Sequence, residues 1–404
     1  MSFLSLLFSP IKGFWKKGDV MLLGLCLAAS GFGLALIFSA TQYLGEMRWM
    51  RFVSVQLAAV ILGALVYMLL TFVDFQLFVE KRWKLLLAFD VLFILLLLTP
   101  LGEDYRSGNL NWLVISRIIP KFPMDVQPNE IVKISFILLL ALQIAKIQDR
   151  ELDISSVPSI LQIGGHTVFM LALIAAVCGD FGMCVIYMMI FIIMAWTAGV
   201  RLRWFLLVGG GLALAVVIFW LFFLPETRWW TDYRIMRFRV IFDHSLDPSG
   251  KGWQQTRSIL AIGSGKLFGQ GYCQGIQTQA ANSNARPARH TDFIYAVCGE
   301  ELGLVGCMGL LLLLSLIVLR CIWVGRHASS PFNAYVCMGM AGMLLAQITF
   351  NVGMCLYVLP VMGLTLPFIS YGGSSIITLF AAMGIVSSVK ARPMPSWLRD
   401  RSQI

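Results

Sequence analysis

The stretch VMLLGLCLAASGFGLALIFSAT, residues 20–41, runs without an Asp, Glu, Lys or Arg. A helix needs about 20 such residues to cross a hydrocarbon layer. The run is too long for the apolar core of a signal peptide and lacks a convincing cleavage site, so it reads as a first membrane helix. Outward from it, nine further apolar segments follow at about 52–73, 84–100, 130–147, 164–179, 182–199, 204–224, 294–323, 333–357 and 367–389. Only 13% of the chain is charged and 58% is hydrophobic, against the roughly 25% charged residues of soluble domains. The fold class is therefore an all-α polytopic membrane protein of about ten transmembrane helices. Residues 1–404 form one integral membrane domain.

The formal charge of +10 does not point to nucleic acid, because the chain has no basic tail and no aromatic-basic repeat. Excess Lys and Arg in such a chain reports topology and contact with anionic membrane lipids. With the N-terminus inside, sixteen Lys/Arg fall in inner segments. Only Arg48, Arg51, Arg106, Arg117 and Lys121 fall in short outer ones. Both termini are expected in the cytoplasm. The nine cysteines show no CxxC pair or zinc spacing and read as small core residues.

The long polar interruption between the seventh and eighth spans, 226–292, is then a large extracellular loop. Its Trp229, Trp230, Tyr233, Phe238, Ile241, Phe242 and Trp253 are spaced like short interfacial helices. It ends in His290-Thr291-Asp292, directly before apolar sequence resumes. An ionisable group at a membrane boundary is a functional candidate, and partial burial would raise Asp292 toward the range of a general base. A plain helix-terminal carboxylate fits the same residues.

Glu130 and Lys133 stand three apart on one helix face, which suits an intramembrane ion pair. Asp180 lies at the outer boundary of the fifth and sixth spans. A structural salt bridge explains them as readily as a substrate cavity. Arg234, Arg237, Arg257, Arg289 and His290 are candidates for a pyrophosphate or for lipid headgroups, because the Arg fork matches phosphate oxygens. Ser370, Tyr371, Gly372, Gly373 and Ser374, between Pro367 and the last span, imply broken backbone and close packing, as in a cavity wall.

Taken in order, Gln127-Pro128-Asn129-Glu130-Ile131-Val132-Lys133, Asp180-Phe181-Gly182, Gly252-Trp253-Gln254, His290-Thr291-Asp292-Phe293-Ile294, Gly299-Glu300-Glu301-Leu302-Gly303 and Pro367-Phe368-Ile369-Ser370-Tyr371-Gly372-Gly373-Ser374-Ser375 resemble the FtsW/RodA/SpoVE family of bacterial shape, elongation, division and sporulation proteins. The resemblance runs over about residues 20–390. It implies ten membrane helices in the bacterial cytoplasmic membrane. It also implies a peptidoglycan glycosyltransferase that polymerises lipid II and releases undecaprenyl pyrophosphate, with a class B penicillin-binding protein as partner. The family's catalytic acid falls on Asp292, and its other important charges fall on Glu130, Lys133 and Asp180. A divalent cation, Mg²⁺ or Mn²⁺, is a candidate companion of the pyrophosphate. The chain departs from the family at Asn111 (often Arg), Asn129 (usually Ser), Arg257 (usually Gln) and Ala288 (usually Glu). The run Gly263-Ser264-Gly265-Lys266-Leu267-Phe268-Gly269-Gln270-Gly271 leans to the elongation type. A lipid II flippase and a non-catalytic scaffold are the other readings of the same features.

Overall fold

The computed structural model describes residues 13–105, 109–119, 124–218, 251–280 and 288–392. Each apolar segment falls on a helix: α1 (Val20–Thr41), α2 (Glu46–Leu70), α3 (Phe75–Leu95), α4 (Pro128–Asp149), α5 (Val157–Val177), α6 (Phe181–Thr197) and α7 (Leu202–Ile218). After the short amphipathic α8 (Lys251–Ser264) come α9 (Ile294–Arg326), α10 (Pro331–Cys355) and α11 (Gly373–Lys390). Local chemistry sets the starts. Asp19, Asp74, Asp180 and Ser330 accept a first-turn N–H of α1, α3, α6 and α10, and prolines open α4, α5 and α10.

Among the described residues, six helices are long and apolar enough to cross a membrane: α1, α2, α5, α9, α10 and α11. The others depart from that profile for visible reasons. α6 has 17 residues. α3 carries Glu80, Lys81, Arg82, Lys84 and Asp90 and is kinked at Arg82. α7 has 17 described residues. α4 is surrounded by α3, α5, α6, α10 and α11, and nearly all of it from Pro128 to Ile147 is buried. That central place lets an intramembrane helix hold two charges, because protein rather than lipid surrounds it.

α11 lies along α2, where a methyl group added at Gly384 would come within 2.9 Å of the Tyr67 backbone. Such close approach is how small residues join helices in lipid, where no hydrophobic drive operates between them. A short antiparallel pair, β1 (Gly102–Glu103) with β2 (Trp112–Leu113), and a bridge from Leu113 to Val126 precede α4. Nearly the whole expected interfacial stretch of the 226–292 loop, with Arg234 and Arg237, lies outside the described residues, which include α8 and 265–280.

Candidate active site

The turn before α9 carries His290-Thr291-Asp292, and three polar side chains from distant sequence fix its backbone. Ser370 Oγ donates to the Thr291 carbonyl at 2.6 Å. Asn351 Nδ2 donates to the Asp292 carbonyl at 2.8 Å and to the Leu364 carbonyl at 2.7 Å. Cys355 Sγ adds a longer contact to the Asp292 carbonyl, 3.7 Å. The Tyr371 N–H donates to the His290 carbonyl at 2.9 Å. The N-cap of α9 is Phe293, one residue after Asp292.

The wall facing this turn is held from α2. Gln56, buried on α2, donates to the Ser370 carbonyl and accepts the Gly372 N–H, each at 3.1 Å. One amide therefore satisfies both ends of the 370–372 turn, where an unpaired backbone group would be costly.

Between these walls lies a cavity of 790 Å³. Asp292, Glu130 and Asp180 line it together, with His290, Tyr371, Gly372, Gly373 and Ser374. Separate parts of the chain thus converge on one space. Lys133 lies buried behind Glu130, paired to it at 2.9 Å, and Ser375 donates to the other Glu130 oxygen at 3.4 Å. Asn111 Nδ2 donates to Asp180 Oδ2 at 2.5 Å, so an amide rather than a guanidinium faces that carboxylate. The Asp292 carboxylate sits beside Gly363. Ser370 stands behind the wall as its fastener.

Two arginines have other work. Arg289 is 1% exposed. Its guanidinium donates to the carbonyls of Gln277, Thr278 and Ala280 and lies over the Tyr43 ring, 3.3 Å from its centre. It is a clamp on backbone rather than a ligand-facing cation. Arg257 is exposed on α8, over Trp253, and does not line the cavity. Among the described lining residues none is Lys or Arg. Burial pushes the Tyr371 hydroxyl up, and the charge of Arg51, which adjoins the lining Phe52, offsets only part of that push.

Burial, helped by Arg289, pushes the His290 imidazole down to about 4. It is neutral at pH 7, so it meets a ligand as a hydrogen-bonding ring and not as a cation. Phe52 and Tyr371 pack around it, with ring centres 4.9 and 5.8 Å away. Among the described residues no group of three His, Cys, Asp or Glu is arranged to hold a metal ion. Mg²⁺ typically binds through one or two carboxylates plus substrate phosphates.

Sequence reasoning passed over Gln56, Asn351 and Phe52, and named Asn111 only as a departure from the family. Gln56 carried a signal: the single amide of α2 needs partners in lipid.

This architecture has relatives. A chain from the structure described as "Structural coordination of polymerization and crosslinking by a peptidoglycan synthase complex" superposes with a TM-score of 0.74 at 27% identity, covering 96% of this chain and 99% of that one. The rod shape determining protein RodA of Thermus thermophilus shares the fold, with a TM-score of 0.66 at 24% identity over 95% and 99% of the two chains. The peptidoglycan glycosyltransferase MrdB of Escherichia coli K12 is 31% identical over 386 residues, 94% of this chain and 95% of that protein. A probable peptidoglycan glycosyltransferase FtsW of Trichlorobacter lovleyi is 30% identical over 383 residues, 92% and 93%. The FtsW/RodA/SpoVE profile, described as cell cycle protein, matches residues 20–393, and the chain belongs to that family.

Proposed function

We propose that this protein is a peptidoglycan glycosyltransferase that polymerises lipid II, with the cavity as its active site and Asp292 as its general base. The observation that carries the reading is the placement of Asp292: on the cavity wall, in a turn whose carbonyls are fixed by Ser370, Asn351 and the Tyr371 N–H. Its relatives' names support the reaction class.

Asp292 takes the proton of an acceptor sugar hydroxyl. The freed oxygen pair attacks the donor's anomeric carbon from the face opposite the pyrophosphate. The bond from carbon to pyrophosphate oxygen breaks, its electrons leave with undecaprenyl pyrophosphate, and the configuration inverts. A positioned base contributes about 10²–10⁴-fold. Glu130 and Asp180 shape the cavity and Lys133 holds Glu130. The surplus of basic residues in inner segments supports a cytoplasmic membrane location with the active site outside and both termini inside. A class B penicillin-binding protein is the expected partner, consistent with a neighbour drawn from a synthase complex.

The test is polymerisation of lipid II by the purified protein with its cognate synthase partner. Asp292→Asn is expected to lose at least about 10²-fold of strand synthesis while remaining folded. Synthesis within a few-fold of wild type would refute the base. No strands from wild type under varied partner and metal conditions, with lipid II translocation in vesicles instead, would replace the enzyme reading with a flippase.

A further inference from the structure

α9 has 33 residues, about 50 Å at 1.5 Å per residue, longer than a bilayer core. It is broken at Gly303, whose φ of 66° suits glycine. A break strands backbone groups, and segment 265–280 meets them. Gln270 N–H and Gly271 N–H donate to the carbonyls of Glu300 and Glu301, and Leu304 N–H and Val305 N–H donate to those of Lys266 and Leu267. The fit is tight: a Cβ on Gly269 would lie 2.1 Å from the Glu301 carbonyl oxygen.

At the break stand two carboxylates, both 0% exposed. Glu300 accepts the N–H groups of Gln277 and Thr278, at 2.7 and 3.0 Å, and the Thr278 hydroxyl at 2.7 Å. Glu301 accepts the Ser39 hydroxyl at 2.6 Å, the Cys273 N–H at 3.2 Å and the Gln279 amide at 3.2 Å. The carbonyls of Gln277 and Thr278 receive Arg289. The peptides at 277–278 thus lie between an anion on their N–H side and a cation on their C=O side. Arg289 and Glu300 are an ion pair relayed through backbone, and Arg289 immediately precedes His290-Thr291-Asp292.

We infer that Glu300 and Glu301 are positioning residues: they lock segment 273–280 into the break of α9, the locked segment holds Arg289, and Arg289 fixes the turn that carries Asp292. This rests on the proposed role of Asp292. Charge-assisted bonds of this kind are about twice as strong as neutral ones. A glutamine in place of Glu300 would turn an NH₂ toward an N–H donor.

The experiment uses the full-length protein in nanodiscs, comparing Glu300→Gln, Glu301→Gln and the milder Ser39→Ala with wild type. Three readouts are taken per folded molecule: the maleimide alkylation rate of Cys273, the carbodiimide modification rate of Asp292, and kcat and KM for lipid II with the synthase partner. Cys273 alkylation is expected to rise about tenfold in Glu301→Gln, as local opening becomes easier. Asp292 modification is expected to shift in both glutamine variants. Their kcat is expected to fall about 10–100-fold with KM within about twofold, since displacement of a reacting group by about 1 Å can cost 10²-fold. Ser39→Ala, which removes one donor, should show the same changes in smaller size and covers the case in which the glutamine variants fail to fold. Unchanged Asp292 modification, or a loss of activity that only tracks the folded fraction, overturns the inference. A wild type inactive in polymerisation would sink the functional reading instead, and the two labelling rates would still decide whether the carboxylates hold the turn.

Discussion

At the scale of single residues, the buried pair Glu130–Lys133 shows how placement sets the cost of change. Each charge is tolerable in α4 because of the other. Removing one strands its partner, which typically costs about 3–5 kcal/mol, whereas replacing both with apolar or amide groups can be close to neutral. Lys133→Met is therefore expected to lower the thermal midpoint more than the double variant Glu130→Gln/Lys133→Met. Equal losses in detergent melts would contradict this. His290 gives the second residue-scale expectation. Its folded pKa of about 4 lies below the roughly 6.5 of an unfolded histidine. The folded state binds protons less readily, so stability is whole above pH 6.5 and falls as pH drops from there toward 4. His290→Asn should flatten that part of the stability-pH curve; an unchanged slope would show that another group dominates acid sensitivity.

At the scale of elements, hydropathy placed the long helices well, and its errors have two causes. α2 begins at Glu46 and α3 at Phe75, earlier than the apolar windows at 52 and 84. Charged residues such as Glu80–Lys84 depress hydropathy without opposing helical backbone. α11 begins at Gly373 rather than 367, because the apolar stretch after Pro367 turns before it becomes helical. Within the site, Asp292, Glu130 and Asp180 were legible because carboxylates in apolar surroundings are rare. Arg289 was not: its partners are backbone carbonyls, which every sequence possesses and no residue type advertises. Asn351 was hidden likewise, since α10 meets the Asp292 turn only after folding. Asn351→Leu should leave two carbonyls short of a donor and lower kcat about tenfold or more, in keeping with small displacements of a reacting group. A variant with normal turnover would show that Ser370 and the Tyr371 N–H suffice to hold the turn.

At the scale of the whole molecule, a wide set of helices meets around one buried, charged α4, and the cavity lies beside its N-terminal turn. That arrangement sets a polar recess among helices that keep large apolar side chains on their exposed faces. Part of the recess has no side chain at all. Gly363, Gly372 and Gly373 line it with bare backbone, and an added methyl at Gly373 would strike Met124 at 2.3 Å. Gly372 differs, because its added methyl would meet only Ser375, at 3.5 Å, so a larger residue there would fold yet roughen the wall. A polymer that must advance one unit after each bond would slide past such a surface with little friction and little grip. Gly372→Ala should therefore spare the first coupling and shorten the strands, read as a shift to lower molecular mass at unchanged initial rate. On this account the smoothness of the wall governs how far the product travels before it lets go.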